Sequence, residues 1–425
     1  MADLPNIHHL RAFALAARLN SVHQAAAAAH LSQPAVTQAL ARLETRYNCL
    51  FLERCSTGVY PTRFGEIMLT RVERALDLIG EAAQRIREYA KRTAPKKARP
   101  SPVDRLATTA QLRALVAIAR TGGYSAAARS LGLAQPSVHR AARDLEKLAG
   151  VTLFERVSQG VALTAQGQVL ALKAALAFRE IEAASDDLEE VKGIVRGRLV
   201  VGTLPLIRTE ILPDAVIALT ERFPQATVRI DDGSYAGQLH ALRMGEIDVL
   251  IGALLCPAPA EDVEEVVLFD DALSVVVRCG HPLCGCETVT VEDLKRFSWV
   301  VPRAGTPTRD HFEDLIGEDA VPGVIETPSL MVLRGILTKS DRLALLSRRQ
   351  ITYEERAGLL TALPMELGDP PRPIGLTLRK NWCPTGLQAA FLEIIREQAR
   401  KSCEPDAGAE KNKGAGAYVA LSAFD

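Results

Sequence analysis

The sequence predicts a multidomain chain. Two small α-helical units, each carried into a long helix, precede an α/β domain of two lobes. Three observations predict it. A stretch of about sixty residues occurs twice at one fixed offset, Leu31 answering to Leu133, with about a third of positions identical, too many for chance. Each copy leads into a helical run with two apolar residues per heptad, the spacing of helix-on-helix pairing. From about residue 196 onward, short apolar strands alternate with helical patterns, the rhythm of a parallel sheet.

Composition bounds the function. The chain has 425 residues and no net charge, but the charge is unevenly placed. Residues 1–105 hold 16 Lys and Arg against 9 Asp and Glu, residues 106–196 hold 11 against 9, and residues 197–425 hold 24 against 33. The basic excess lies with the repeats and suits a polyanionic partner; the acidic excess lies elsewhere. A hydrophobic content of 48% supports real cores. No apolar run reaches the roughly 18 residues of a membrane-spanning helix. The start, Met-Ala-Asp-Leu-Pro-Asn, lacks the basic and apolar regions of a secretory signal. Eight scattered cysteines suit a reducing cytoplasm.

Each copy reads as a helix-turn-helix. An Ala-rich segment (Ala25 to Ala29; Ala126 to Ala128) lets a second helix cross closely. The next helix opens on Ser32-Gln-Pro34 or Ala134-Gln-Pro136, and proline is tolerated in a first turn. Ser32 can cap that helix; Ala134 cannot. Val36, Leu40 and Leu43 fall on one face, matched by Val138 and Leu145. The other face carries Gln33, Thr37, Gln38 and Arg42, or Gln135, Ser137, His139, Arg140 and Arg143. Amides, hydroxyls and guanidinium groups of this kind match base edges and phosphates in a major groove. One such face alone would equally suit a solvated helix.

The surrounding pattern resembles the winged helix-turn-helix of LysR-type transcriptional regulators. The second copy carries it most fully: Leu112-Arg, Gly123-Tyr-Ser-Ala-Ala-Ala128, Ala134-Gln-Pro-Ser-Val138, Leu145-Glu146, Leu153-Phe-Glu-Arg156 and Gly160-Val-Ala-Leu-Thr-Ala-Gln-Gly167. The first copy departs at Asn20-Ser-Val-His23 and at Phe51-Leu-Glu-Arg54. Members of that family normally carry one such domain. The resemblance implies DNA contacts from Ser32, Gln33, Thr37, Gln38, Arg42 and Arg54, and from Gln135, Ser137, His139, Arg140, Arg143 and Arg156.

In chain order, residues 1–65 form the first winged domain and 66–91 its linker helix. Met68, Val72, Ala75, Ile79, Ala82, Ile86 and Tyr89 make the seam. Residues 92–106, basic with three prolines, read as an extended linker, either solvated or touching a DNA backbone. Residues 107–167 form the second winged domain and 168–195 the second linker helix, with Leu170, Ala174, Ala177, Ile181, Ala184, Leu188 and Val191 on its seam. One chain thus owns two pairing helices. We expect them to pair with each other antiparallel, Ile79 opposite Ile181, which sets Arg71 and Arg74 near Glu189 and Asp186.

Residues 196–401 form the α/β domain. Leu199-Val-Val-Gly, Thr227–Asp231 and Asp248–Ala253 read as strands, with helices over Ile207–Arg222 and Tyr235–Met244 between them. A single long strand, Leu268–Arg278, is expected to cross between lobes near 271–275, with the return near 371–374. The second lobe is expected to hold a strand at Trp299–Pro302, helices near Arg309–Ile316 and Leu330–Thr338, and a strand at Leu343–Leu346. Residues 402–425 read as a loose tail.

Arg196-Gly-Arg-Leu-Val-Val-Gly-Thr-Leu-Pro205, Leu242-Arg-Met-Gly-Glu-Ile-Asp-Val-Leu-Ile-Gly252 and Arg278-Cys-Gly-His-Pro-Leu283 resemble the effector-binding domain of the same regulators, built like a periplasmic solute-binding protein. The Thr-Leu-Pro-Leu and Ile-Gly-Ala-Leu segments are similar to the subgroup of the galactose-binding-protein regulator. The resemblance implies a small effector between the lobes, held by Thr203, Leu204, Pro205, Ser234, Ala253, Leu254, Pro328 and Ser329 at strand ends and helix starts. Sugar, sugar acid and small aromatic acid all fit. A homo-oligomer, dimer or tetramer, and RNA polymerase complete the implied partners, with no membrane and no cofactor.

Cys279, His281, Cys284 and Cys286 have metal-like composition but not the spacing of a paired zinc site. No Walker loop, nucleophile elbow or dinucleotide fingerprint is present, so an enzyme is not expected. The alternative is a solute-binding or structural protein of the same fold without DNA regulation.

Overall fold

The computed structural model describes residues 4–93, 102–158, 160–255, 257–316, 321–365, 367–368 and 371–403. Most of the expected basic linker (94–101) and of the tail (404–425) lies outside these residues. The described residues form two compact units, one drawn from residues 4–202, 223–250 and 378–389, the other from 203–222, 251–377 and 390–403.

The first unit opens with three helices, α1 (Ile7–Leu19), α2 (Val22–Ala29) and α3 (Gln33–Tyr47). An antiparallel hairpin of β1 (Leu52–Cys55) and β2 (Gly58–Pro61) and the long α4 (Arg63–Thr93) follow. After a short α5 (Val103–Leu106) the same series recurs. It consists of α6 (Thr109–Thr121), α7 (Tyr124–Leu131), α8 (Gln135–Ala149), the hairpin β3 (Phe154–Val157) and β4 (Gly160–Leu163), and α9 (Ala165–Val191).

The recurring residues make the same bonds in both series. The Glu44 carboxylate accepts from the Phe51 and Leu52 amides at 2.9 and 3.3 Å, and Glu146 from the Leu153 and Phe154 amides at 2.9 and 3.2 Å. The Thr62 hydroxyl donates to the Leu50 carbonyl at 2.6 Å and accepts from the Gly65 amide at 3.1 Å. Thr164 does the same with Thr152 and Gly167 at 2.8 and 3.2 Å. A Cβ on Gly65 would lie 2.0 Å from the Phe51 carbonyl oxygen, and one on Gly167 2.2 Å from that of Leu153, so only glycine lets the long helix start there. These contacts fix each hairpin against the head of its long helix.

α4 and α9 pack against each other along their buried seams, Met68 to Ile86 against Leu170 to Leu188. They run antiparallel, since Arg71 pairs with Asp187 at one end and Glu81 with Lys173 at the other, 2.7 and 2.5 Å apart. The pairing is within one chain, as expected, but the alignment differs. Arg71 meets Glu180 and Asp187, and Arg74 meets Glu180 at 3.0 Å, rather than Glu189 and Asp186. Backbone carbonyls supply the reason: Arg71 also donates to Cys383 and Pro384, and Arg74 to Asn381. The guanidinium groups sit where carboxylates and carbonyls converge. At the pseudo-axis Ile7 donates its amide to the Thr109 hydroxyl at 2.9 Å, joining two positions that are equivalent in the repeat.

Two further expectations fail here. Residues 103–106 are a helical turn, not extended, because Val103 is buried in the shared core and Asp104 pairs with Arg87 at 2.7 Å. Tyr89 leaves the seam and is exposed while Ala90 is buried, since a 3.6-residue turn drifts from a strict heptad near the helix end.

The α/β part holds β5 (Arg198–Thr203), α10 (Ile211–Arg222), β6 (Thr227–Asp232), α11 (Tyr235–Arg243), β7 (Val249–Ala253) and β8 (Val263–Asp271). Next come β9 (Leu273–Arg278), α12 (Val291–Leu294), β10 (Trp299–Val301), α13 (Pro307–Leu315), β11 (Val324–Glu326) and α14 (Leu330–Leu337). β12 (Ala344–Ser347), α15 (Thr352–Arg356), β13 (Leu360–Ala362), β14 (Arg372–Arg379) and α16 (Gly386–Cys403) end it. One sheet has the order β6-β5-β7-β14-β8, a second β12-β9-β13, and a parallel pair joins β10 to β11.

The expected strand Leu268–Arg278 is broken at Ala272 into β8 and β9, which belong to different sheets. The expected helix from Ile207 starts only at Ile211, after a 3-10 turn at Pro205–Arg208. Pro213 has no N–H to give and is accepted only in a first turn, which sets that start.

Candidate nucleic-acid interface and effector site

α3 and α8 each bury one face and expose the other. Val36, Leu40 and Leu43 are buried, as are Val138, Ala142 and Leu145. Ser32, Gln33, Thr37, Gln38 and Arg42 are exposed on the first; Gln135, Ser137, His139, Arg140 and Arg143 are exposed on the second. Arg54 and Arg156 are exposed at equivalent places in the hairpins, opposite Val59 and Val161. Eight of the twelve stand at equivalent positions, Gln33 with Gln135, Thr37 with His139, Gln38 with Arg140 and Arg54 with Arg156, while Ser32, Arg42, Ser137 and Arg143 each belong to one copy alone.

The two helices are held differently. The Ser32 hydroxyl accepts from the Ala35 amide at 3.3 Å, while Ala134 makes no such cap. The Thr37 hydroxyl donates to the Gln33 carbonyl at 3.1 Å, which leaves its lone pairs as acceptors. His139, at the equivalent position, packs its ring edge-on against Tyr124, centroids 4.9 Å apart.

The α/β residues are dispersed along turns. Thr203 is fully buried; its hydroxyl accepts from Arg208 Nε at 2.7 Å and its carbonyl from Nη2 at 2.6 Å. Leu204 donates its amide to Ile251 at 2.9 Å, and its side chain fills the space beside Gly252. Pro205 is exposed and opens the 3-10 turn. Ala253 ends β7, and the Leu254 amide donates to Pro373 at 2.9 Å. Pro328 is exposed; Ser329 caps α14, accepting from the Val332 amide at 3.3 Å. Ser234 likewise caps α11 through the Gly237 amide at 3.3 Å. Motif reading missed the charged groups nearby. Arg334 donates to the Thr209 hydroxyl at 3.1 Å and pairs with Glu354 at 3.2 Å. Glu210 pairs with Arg356 at 3.3 Å. Isolated Arg and Glu residues in sequence carry no signal that they will meet.

His281 is a structural residue. Its Nδ1 accepts from the Leu283 amide at 3.1 Å, its Nε2 meets the Asp341 carbonyl at 3.3 Å, and its ring packs on Phe297. Burial foremost pushes its pKa down. No cluster of metal-ligating side chains and no helix long and apolar enough to cross a membrane occurs among the described residues.

The α9 helix is tied to the strands that follow it. Arg179 pairs with Asp248 at 3.0 Å, and Asp248 accepts from the Val200 amide at 2.8 Å. Arg379 is buried and donates to the Leu242 and Ile247 carbonyls at 2.9 and 2.7 Å; desolvation pulls its pKa down to about 10.

The profile described as bacterial regulatory helix-turn-helix protein, lysR family, matches residues 7–66 and again 109–168, and the one described as LysR substrate binding domain matches 192–400. The HTH-type transcriptional regulator GalR of Pseudomonas putida is 33% identical over 404 residues, covering 93% of this chain and 99% of that protein. PcaQ of Agrobacterium fabrum is 29% identical over 300 residues, covering 70% of this chain and 96% of that protein. The first alignment takes in both copies; the second is shorter by about one repeat. A full-length OxyR from Pseudomonas aeruginosa shares the fold at a TM-score of 0.52 and 24% identity, covering 68% of this chain and 94% of that one. LysG of Corynebacterium glutamicum, solved with its effector bound, does so at 0.50 and 17%, covering 68% and 97%.

Proposed function

The chain belongs to the LysR family of transcriptional regulators, DNA-binding proteins modulated by small-molecule effectors and not enzymes, and from that premise we propose that it carries two winged helix-turn-helix domains, residues 1–65 and 107–167, both of which contact duplex DNA. One observation carries this reading: the bonds that brace the hairpin and the long helix recur in both copies and leave both polar helix faces exposed. Major-groove contacts then come from Gln33, Thr37, Gln38 and Arg42, and from Gln135, Ser137, His139, Arg140 and Arg143. Ser32 holds the start of its helix, and Arg54 and Arg156 reach phosphates from the wings. The family membership displaces the alternative of a solute-binding protein without DNA regulation.

The effector site, in this reading, is formed by the turns at Thr203–Pro205, Ala253–Leu254 and Pro328–Ser329. Thr203 acts by holding Arg208, whose guanidinium favours an anionic ligand such as a sugar acid or aromatic acid. A homo-oligomer in the cytoplasm that meets RNA polymerase at a promoter completes the proposal. The test is a salt-dependent gel shift with promoter DNA. Arg140→Ala with Arg143→Ala weakens binding more than Thr37→Ala with Gln38→Ala, because each lost base or phosphate contact costs about 1–3 kcal/mol and charged contacts dominate affinity. No shift at low salt, or equal losses in the two double variants, contradicts it.

A further inference from the structure

We propose that one chain reads two unlike half-sites, so that the DNA unit recognised by this protein lacks two-fold symmetry. The inference rests on the reading above that both helix-turn-helix copies contact DNA. In a regulator that pairs identical chains, two-fold symmetry presents the same side chains twice and selects an inverted repeat. Here the pair is made inside one chain. α4 and α9 pack antiparallel, and equivalent positions Ile7 and Thr109 meet at the pseudo-axis. The scaffold is symmetric while the exposed faces are not.

At equivalent positions on α3 and α8, Gln33 recurs as Gln135, but Ala35 is replaced by Ser137, Thr37 by His139, Gln38 by Arg140, Ala41 by Arg143 and Arg42 by Asp144. All but Ala35, which is half-buried, are exposed. Geometry assigns these side chains different bases. A glutamine amide pairs two-pronged with adenine N6 and N7, whereas an arginine pairs with guanine O6 and N7. The half-site under α3 is therefore centred on an A·T pair at the Gln38 position, and the half-site under α8 on G·C pairs at Arg140 and Arg143. Asp144 repels phosphate where Arg42 attracts it, so the backbone contacts also differ. Because one covalent chain holds both helices, each recognised unit contains both half-sites, whether one chain or several assemble on it.

Selection of bound duplexes from a random pool by the full-length protein tests this directly. The expected product is a motif of two dissimilar halves, one A·T-centred and one containing G·C. Gln38→Arg shifts the first half alone toward guanine, with about ten- to hundred-fold altered preference at that position. Converting the first face to the second, with Ala35→Ser, Thr37→His, Gln38→Arg, Ala41→Arg and Arg42→Asp together, turns the motif into an inverted repeat of the G·C half. An inverted repeat of identical halves selected by the unaltered protein overturns the inference while leaving DNA binding intact. Failure to enrich any sequence at low salt removes both the inference and the reading it rests on.

Discussion

At the ends of its three short helices the first copy places Asn20, His30 and Asn48 in the left-handed region; the second copy places Gly122, Gly132 and Gly150 there. The backbone turn is the same and the residue that makes it differs each time. Glycine reaches positive φ without a Cβ clash, asparagine tolerates it, and histidine does so at a cost. The same contrast runs through the seam. Arg71 of α4 is buried on two carboxylates and two carbonyls, while its equivalent Lys173 on α9 makes one ion pair with Glu81, itself mostly exposed. What the copies keep is the brace between hairpin and long helix; around it they keep some groups, such as Gln33 as Gln135 and Arg54 as Arg156, and vary the helix ends and the charges of the seam. The two therefore share a shape without sharing a load.

The largest expected difference follows from Arg71. Arg71→Met takes the buried guanidinium away from Asp187, which is half-buried, and from Glu180, which keeps only Arg74, and lowers stability by about 3 kcal/mol. Lys173→Met removes a pair open to water and lowers it by about 1 kcal/mol at most. Urea denaturation of the two variants measures this, and similar losses would break the comparison.

Asp186 gives the next effect. Burial foremost, opposed by Arg179 and aided by Asp187, raises its pKa to about 6; the first copy has neutral Gln84 at that place. A carboxyl with a raised folded pKa destabilises the fold above that pKa, and the penalty fades as pH falls toward the unfolded value near 4. Asp186→Asn is expected to add about 1–2 kcal/mol at pH 7–8 and nothing below about pH 4. A gain that grows on acidification would reverse the sign and sink the assignment.

Smaller effects sharpen the contrast at the helix ends. Ser32→Ala costs about 1 kcal/mol through the lost cap, whereas Ala134→Ser gains a fraction of that. His30→Gly relieves the left-handed strain and is worth about 0.5 kcal/mol after the entropy of the unfolded glycine is counted. Thermal unfolding of these variants suffices, and a destabilised His30→Gly would show that the histidine ring makes contacts outweighing its strain.

Much of this was legible in the sequence because it repeats. Glu44 with Glu146, Thr62 with Thr164 and Gly65 with Gly167 stand at one offset, and each pair makes one bond pattern. The seam and the exposed polar faces follow from helical periodicity, which is local. What was not legible is non-local. The alignment of α4 on α9 depends on carbonyls at Asn381, Cys383 and Pro384, some three hundred residues from Arg71 and Arg74. The burial of Thr203 depends on Arg208 folding back over it. The break at Ala272 reflects a change of sheet, and β11 and β13, three residues each, are too short to show a period.

The central claim is that one chain pairs its own linker helices. Glu81→Cys with Lys173→Cys, in a background without native cysteines, places two thiols where the structure has an ion pair between α4 and α9. A short thiol-reactive bifunctional cross-linker should bridge the two thiols within the chain, since the Lys and Glu side chains they replace span more than a disulfide can, giving a faster-migrating monomer band whose yield does not change with protein concentration. Covalent dimers that rise with concentration, with no closed monomer, would contradict the account.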